Sequence, residues 1–134
     1  MTLHFLVHLP LNTVFENLTD MQRYVSYHPV ITQIDRTGTY TYLVHETLKF
    51  GPLPISFTYP VKLERDNTTK KVIFKAQVMK INHITMAFEL VEKDGLTHIT
   101  ETITFKTPLP VRSLMGKIFK AQHTQLFENM DAGN

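Results

Sequence analysis

Two hydrophobic periods divide the chain. Leu3, Phe5, Val7 and Leu9 alternate with Thr2, His4 and His8, a period of two that predicts a half-buried strand ended by Pro10. Val14, Phe15 and Leu18 follow Asn12 and Thr13, and Met21, Tyr24 and Val25 follow Thr19 and Asp20. Each group suits a short helix, the first capped by Asn12 or Thr13 and the second by Thr19 or Asp20, with His28-Pro29 stopping the second. From Val30 to Thr107 the period of two returns, interrupted by turn signals at Thr37-Gly38, Gly51-Pro52-Leu53-Pro54, Asp66-Asn67 and Lys93-Asp94-Gly95. Near Lys80-Ile81-Asn82 the turn chemistry is weak, and strand length alone sets that boundary. Pro108 and Pro110 end the last strand. From Val111 to Asn129 a helical stripe is predicted, with Val111, Leu114, Met115, Ile118, Phe119, Gln122 and Leu126 on it.

The order strand, two short helices, six strands and long helix predicts an α+β domain spanning residues 1–134. Its antiparallel sheet needs a cover for one apolar face, and the C-terminal helix is the only large element able to supply it. Strand alternation then assigns the faces. Tyr42, Val44, Glu46 and Leu48 share one face of their strand, and Ile55, Phe57, Tyr59, Val61 and Leu63 share one face of the next. Val72, Phe74, Ala76 and Val78 continue the inner surface, followed by Ile84, Met86, Phe88 and Leu90, and by Ile99, Glu101, Ile103 and Phe105.

Glu46 and Glu101 interrupt this otherwise apolar surface. A desolvated carboxylate is costly unless it is paired, hydrogen-bonded or protonated, so each has two readings: a polar anchor or general acid/base inside a cavity, or a strand-end residue bonded to an arginine or a tyrosine hydroxyl. Tyr42 and Tyr59 supply an aromatic wall with hydroxyls that either orient a ligand oxygen or reach solvent. Gln122 is the polar break in the helix stripe. Candidate cavity residues are therefore Tyr42, Glu46, Phe57, Tyr59, Phe74, Met86, Phe88, Ile99, Glu101, Leu114, Met115, Ile118 and Gln122.

Composition narrows the chemistry. Zero cysteines remove disulfides, thiolate nucleophiles and Cys-ligated metals, and fit a cytoplasmic setting. Seven histidines include no pair at ligand spacing on a predicted helix, and His4 with His8 lie on the presumed outer face of a strand, so no metal is expected. Ser26, Ser56 and Ser113 lie outside any Gly-x-Ser-x-Gly setting, and the five glycines form no phosphate loop; no cofactor is expected. A net charge of +2 is too small to predict a nucleic-acid partner, and no apolar run reaches the roughly 18 residues of a membrane span. The N-terminus lacks the basic and small-residue features of a signal peptide and reads as mature protein.

Four phrases, Val14-Phe15-Glu16-Asn17-Leu18-Thr19-Asp20, Tyr27-His28-Pro29-Val30, Leu96-Thr97-His98-Ile99-Thr100-Glu101 and His123-Thr124-Gln125-Leu126-Phe127, resemble in order and spacing a bacterial single-domain member of the SRPBCC superfamily. That group includes START lipid-transfer domains, polyketide aromatase/cyclases and the birch pollen allergen. The resemblance implies a helix-grip fold, in which a seven-stranded antiparallel sheet curves around the last helix and leaves a tunnel between them. It also implies that His28 lies at the pocket mouth. Its phrases carry no catalytic signature, so the resemblance conveys fold more than function.

Together these readings favour binding or transport of a small hydrophobic molecule, lipid or polyketide-like. The alternative is a cyclase- or hydrolase-type enzyme using Glu46 or Glu101 with Tyr42 or Tyr59. A third use is a partner surface or homodimer contact around Leu6, Leu43 and Phe127, which the pattern places on outer faces.

Overall fold

The computed structural model describes residues 1–133. The elements run β1 (Thr2–Val7), α1 (Leu11–Thr19), α2 (Met21–Tyr27), β2 (Ile31–Arg36), β3 (Thr41–Phe50), β4 (Leu53–Asp66), β5 (Lys71–Val78), β6 (Asn82–Lys93), β7 (Leu96–Lys106) and α3 (Arg112–Ala132). All seven strands form one antiparallel sheet in the order β1-β7-β6-β5-β4-β3-β2. β1 closes onto the last strand, with Leu3 opposite Glu101 and Val7 opposite Thr97. The chain therefore has the α+β helix-grip architecture, with two short helices between the first and second strands and α3 against the sheet.

Side-chain alternation builds the core. Val61, Leu63, Val72, Phe74, Ala76, Ile84, Phe88, Leu90, Ile99 and Ile103 are buried on one face of the sheet, while intervening residues such as Lys62, Lys75 and Val91 face solvent. From the other side Val14, Phe15, Leu18 and Tyr24 of the short helices, and Leu126, Phe127 and Met130 of α3, complete the cluster. The Phe88 ring packs edge-on against both Phe74 and Phe127, with centroids 5.9 and 6.2 Å apart.

Local chemistry sets the boundaries, in places differently from the sequence pattern. α2 is capped by Asp20, whose carboxylate accepts from the Gln22 and Arg23 amides. α1 is not capped by Asn12 or Thr13. It begins one residue after Pro10, and those two side chains lie within the helix. Proline holds φ at −61° there and turns the chain straight from β1 into the helix. In the β3–β4 hairpin the turn is confined to Gly51-Pro52, with Gly51 at φ +62°, and Pro54 belongs to the strand.

The weakly signalled β5–β6 turn is the three-residue loop Met79-Lys80-Ile81, in which Met79 and Lys80 are left-handed at φ 54° and 64°. Such a turn matches the twist of the flanking strands, and it was hard to read because neither residue is the usual Gly or Asn. Phe127 corrects a further expectation. It is buried, with its ring 4.7 Å from that of Phe5, because the inner stripe of α3 runs through residues 119, 123, 126, 127 and 130. Leu6 is exposed, and Leu43 is half-buried.

The register is testable at β6. Phe88→Ala, which empties the centre of the aromatic cluster, should lower unfolding stability by about 3–5 kcal/mol. Val91→Ala, three residues away on the opposite face, should change it by less than about 0.5 kcal/mol. Urea denaturation followed by circular dichroism distinguishes this register from a one-residue slip, which would exchange the two results.

Candidate functional site

Between sheet and helix lies a group of polar side chains, most of them deeply buried. Glu101 sits on the inner face of β7, flanked along the strand by Ile99 and Ile103. His123 sits on α3, one turn beyond Phe119. Both are essentially inaccessible to solvent, and Glu101 Oε1 lies 2.6 Å from His123 Nδ1. A carboxylate this close fixes the imidazole orientation and holds a proton on Nδ1. The second carboxylate oxygen, Glu101 Oε2, is buried and has no hydrogen-bond partner among the described residues. Such an orphaned oxygen in the interior costs about 1–3 kcal/mol, and more when charged.

His28 adds a neutral ring. Its Nδ1 accepts from the amides of Val30 and Ile31, at 3.3 and 3.2 Å, so its proton resides on Nε2. Burial, and then the charge of His123, lower its pKa from 6.5 to about 3. The two histidine rings meet edge to face at 6.2 Å. Tyr24 stacks on Phe74, with centroids 5.2 Å apart, and packs beside His28. Its phenol is held far above the ordinary range, first by burial and then by the charges of Glu101 and Glu46.

A second pair lies on neighbouring strands. The Tyr59 hydroxyl donates to Glu46 Oε1 at 2.9 Å. Burial raises the Glu46 pKa, against the opposing effects of the Tyr59 hydrogen bond and the His123 charge. Tyr59 is raised too, by burial and then by Glu46. Glu46 and Glu101 thus form separate pairs, and they bear electrostatically on the same residues, Tyr24 and His123.

The expected cavity residues fall into distinct surroundings. Tyr42, Tyr59, Phe74 and Met86 border a small enclosed space of about 20 Å³ together with Tyr24, room for a water molecule rather than a ligand. Met115 borders a second space, of about 40 Å³, with Phe105 and Ile84. Ile118 and Gln122 line an open groove of about 560 Å³, whose opposite wall is Thr47, Leu48, Lys49 and Phe50 of β3. Phe88 and Ile99 are core, and Phe57 is half-buried beside Tyr59. Leu114 is 55% exposed. At about 100° per residue it falls roughly 150° around α3 from the buried stripe, so it does not face the sheet.

Sequence reasoning passed over His123, Tyr24 and Thr97. The signal for His123 was present in the spacing Phe119, His123, Leu126, Phe127 and Met130, a truer 3.6-residue stripe than one beginning at Val111. Thr97, also fully buried, donates its hydroxyl to the Leu9 carbonyl at 2.6 Å. It ties the β1–α1 connection to β7 and has a structural role.

The fold has counterparts among solved structures. Ara h 8.0201 superposes with a TM-score of 0.79 at 15% identity, covering 98% of this chain and 94% of that one. A START superfamily protein from Mycobacterium smegmatis gives 0.77 at 12%, covering 100% and 98%. The Zhui aromatase/cyclase from Streptomyces sp. R1128 gives 0.73 at 12%, covering 99% and 91%. No protein-family model and no curated protein matches the sequence. The chain has an SRPBCC-type fold. Among the described residues, no helix is long and apolar enough to cross a membrane.

Two predictions follow from the buried groups. Glu101→Leu, which leaves His123 buried without its partner, should cost about 3–5 kcal/mol, whereas the double variant Glu101→Leu/His123→Leu should recover most of that loss. A double-mutant cycle in urea measures the coupling, and additive losses would contradict it.

The unfolded chain takes up a proton on His28 below pH 6.5, whereas the folded chain does so only near pH 3. Stability contributed by neutral His28 should therefore fall as pH drops through this window, by on the order of 1 kcal/mol per pH unit. The raised Glu46 acts with the opposite sign. The informative measurement is thus the difference in urea midpoint between wild type and His28→Asn from pH 7 to pH 4.5. The wild type should lose more, and parallel curves would contradict the assignment.

Proposed function

We propose that the chain binds a small hydrophobic molecule carrying a polar end, with its apolar body in the groove between β3 and α3. The observation that carries this reading is the groove itself. Its volume of about 560 Å³ falls within the 300–1,000 Å³ usual for ligand sites. Its walls combine Leu48, Phe50 and Ile118 with Thr47, Lys49 and the amide of Gln122. One step inward along the same face of β3 stands Glu46, hydrogen-bonded to Tyr59, and one residue along α3 stands His123. A ligand entering from the groove would meet apolar surface first and hydrogen-bonding groups at depth, an arrangement that orients an amphipathic molecule.

The ligand class is lipid or polyketide-like. The fold is shared with a START superfamily protein and with aromatase/cyclases, and the polar cluster suits a hydroxyl, carbonyl or carboxyl terminus. The enclosed space beyond the groove is small, so deep binding requires the helix or the β3–β4 hairpin to move outward. The chain is expected to act in the cytoplasm.

A second reading, a cyclase- or hydrolase-type enzyme, is favoured by one specific observation: a fully buried carboxylate that orients a histidine while keeping one oxygen unpartnered. In that reading His123 Nε2 takes a proton from substrate, Glu101 stabilises the resulting imidazolium, and the protonated Tyr24 hydroxyl polarises a substrate oxygen.

Native mass spectrometry of the purified protein, alone and with a panel of fatty acids and fused-ring aromatic polyols, tests the first reading. A one-to-one complex is expected. Ile118→Arg should weaken it roughly tenfold or more by placing a charge on the groove wall, with far-UV circular dichroism unchanged. Protein that stays empty across the panel would overturn binding. If a panel compound is converted, loss of turnover in His123→Ala with retained complex formation would select the enzyme reading.

A further inference from the structure

One end of the sheet differs in chemistry from the rest of the molecule. The β3–β4 turn, the β5–β6 turn and the β7–α3 connection all lie at this end, as the pairs Phe50 with Leu53, Val78 with Asn82, and His83 with Lys106 show. Phe50, Leu53, Met79 and Leu114 project from these segments, each at least half exposed. Over residues 47–55, 78–85 and 102–119 the chain carries five cationic side chains, Lys49, Lys80, Lys106, Arg112 and Lys117, and no acidic one. The acidic residues lie elsewhere, with Asp66, Glu92 and Asp94 at the opposite turns and Asp131 at the far end of α3.

The β3–β4 hairpin also projects. β4 pairs with β5 only from Val61 onward, so residues 53–60 are hydrogen-bonded to β3 alone. The hairpin tip therefore overhangs the β5–β6 turn by about six residues, roughly 20 Å along the strand. Such a free strand edge invites pairing with another chain. Here Pro54 and Pro60 interrupt its donors, which discourages that use.

We infer that this end of the molecule docks on an anionic lipid bilayer, with Phe50 and Leu53 of the projecting hairpin tip inserting at the headgroup boundary and the surrounding lysines and Arg112 meeting lipid phosphates. Three features single out a bilayer over a protein. The apolar tip is two side chains on one narrow turn, enough to wedge into a fluid surface and too small for the contiguous core of a protein interface. The cations have no acidic counterparts at this end, giving it a charge complementary to an anionic leaflet. Their long aliphatic stems let the charged heads stay at the headgroup level while the tips insert. The groove between β3 and α3 opens beside Lys49 and Phe50, so a docked molecule would present that groove to the bilayer. The docking surface stands on the chemistry of this end and holds whether or not the groove is occupied.

Co-flotation of the purified chain with vesicles tests the inference. The chain should float with phosphatidylcholine vesicles containing phosphatidylglycerol, float poorly with phosphatidylcholine alone, and lose binding as salt is raised. Lys49→Ala and Lys80→Ala should each lower the partition coefficient about fivefold, and Phe50→Ser/Leu53→Ser should lower it roughly tenfold or more. Val91→Ser, an exposed apolar position near the opposite end, should leave it unchanged. All the sites are exposed, and circular dichroism of each variant verifies folding. Absence of flotation, equal flotation with both vesicle types, or full retention by Phe50→Ser/Leu53→Ser would overturn the inference. So would light scattering that shows a dimer dissolved by that variant without vesicle binding, since the occupant would then be a second copy of the chain.

Discussion

The contact between Glu101 and His123 joins the two halves of the fold. β7 lies between β1 and β6 in the sheet and carries Glu101 inward, and α3 brings His123 to it across the core. Both groups are removed from water, so the pair holds only if helix and sheet keep their mutual position, and a slide of α3 by one turn would strand two buried polar groups. A buried pair of this kind contributes little net stability over apolar residues of similar size. Its consequence here is to specify position: it sets which side of α3 faces the sheet, and with it the placement of Gln122 and Ile118 on the groove wall.

The same pair organises the electrostatics around it. The His123 imidazole helps keep His28 neutral and opposes the burial that raises Glu46, while the Glu101 charge adds to the forces keeping Tyr24 protonated. The interior thus offers hydroxyl donors and a neutral imidazole around one carboxylate–imidazole pair. Glu101 Oε2, without a hydrogen-bond partner among the described residues, is the point where this arrangement remains incomplete. A hydrogen-bond donor placed beside it would remove that cost.

Much of the fold was legible in the chain. Strict alternation in β4 through β7 fixed both the strands and their inner faces, since a one-residue slip would turn every apolar side chain outward. Less legible were features with no local signature. The β5–β6 turn uses Met79 and Lys80 in a conformation their side chains disfavour. The rotation of α3 is hard to read because Leu114 supplies hydrophobicity on the side of the helix that faces away from the sheet. For that reason Leu114 was assigned to the cavity and Phe127 to the surface, the reverse of what packing dictates. Glu46 and Glu101 stood out as carboxylates on apolar faces, yet their partners, Tyr59 and His123, follow from strand register and helix rotation, which a single sequence does not determine.

The protonation state and exposure of His123 give the most direct test of the account. Nitrogen-15 and proton NMR of the imidazole resonances, recorded without ligand and again with a fatty acid, reads both. A deshielded, slowly exchanging proton on His123 Nδ1 is expected in the free protein, with Nε2 and the Tyr24 and Tyr59 hydroxyl signals shifting on addition. A His123 ring that exchanges freely with water, or whose Nδ1 carries no proton, would contradict the buried pair on which the placement of α3 and the proposed site both depend.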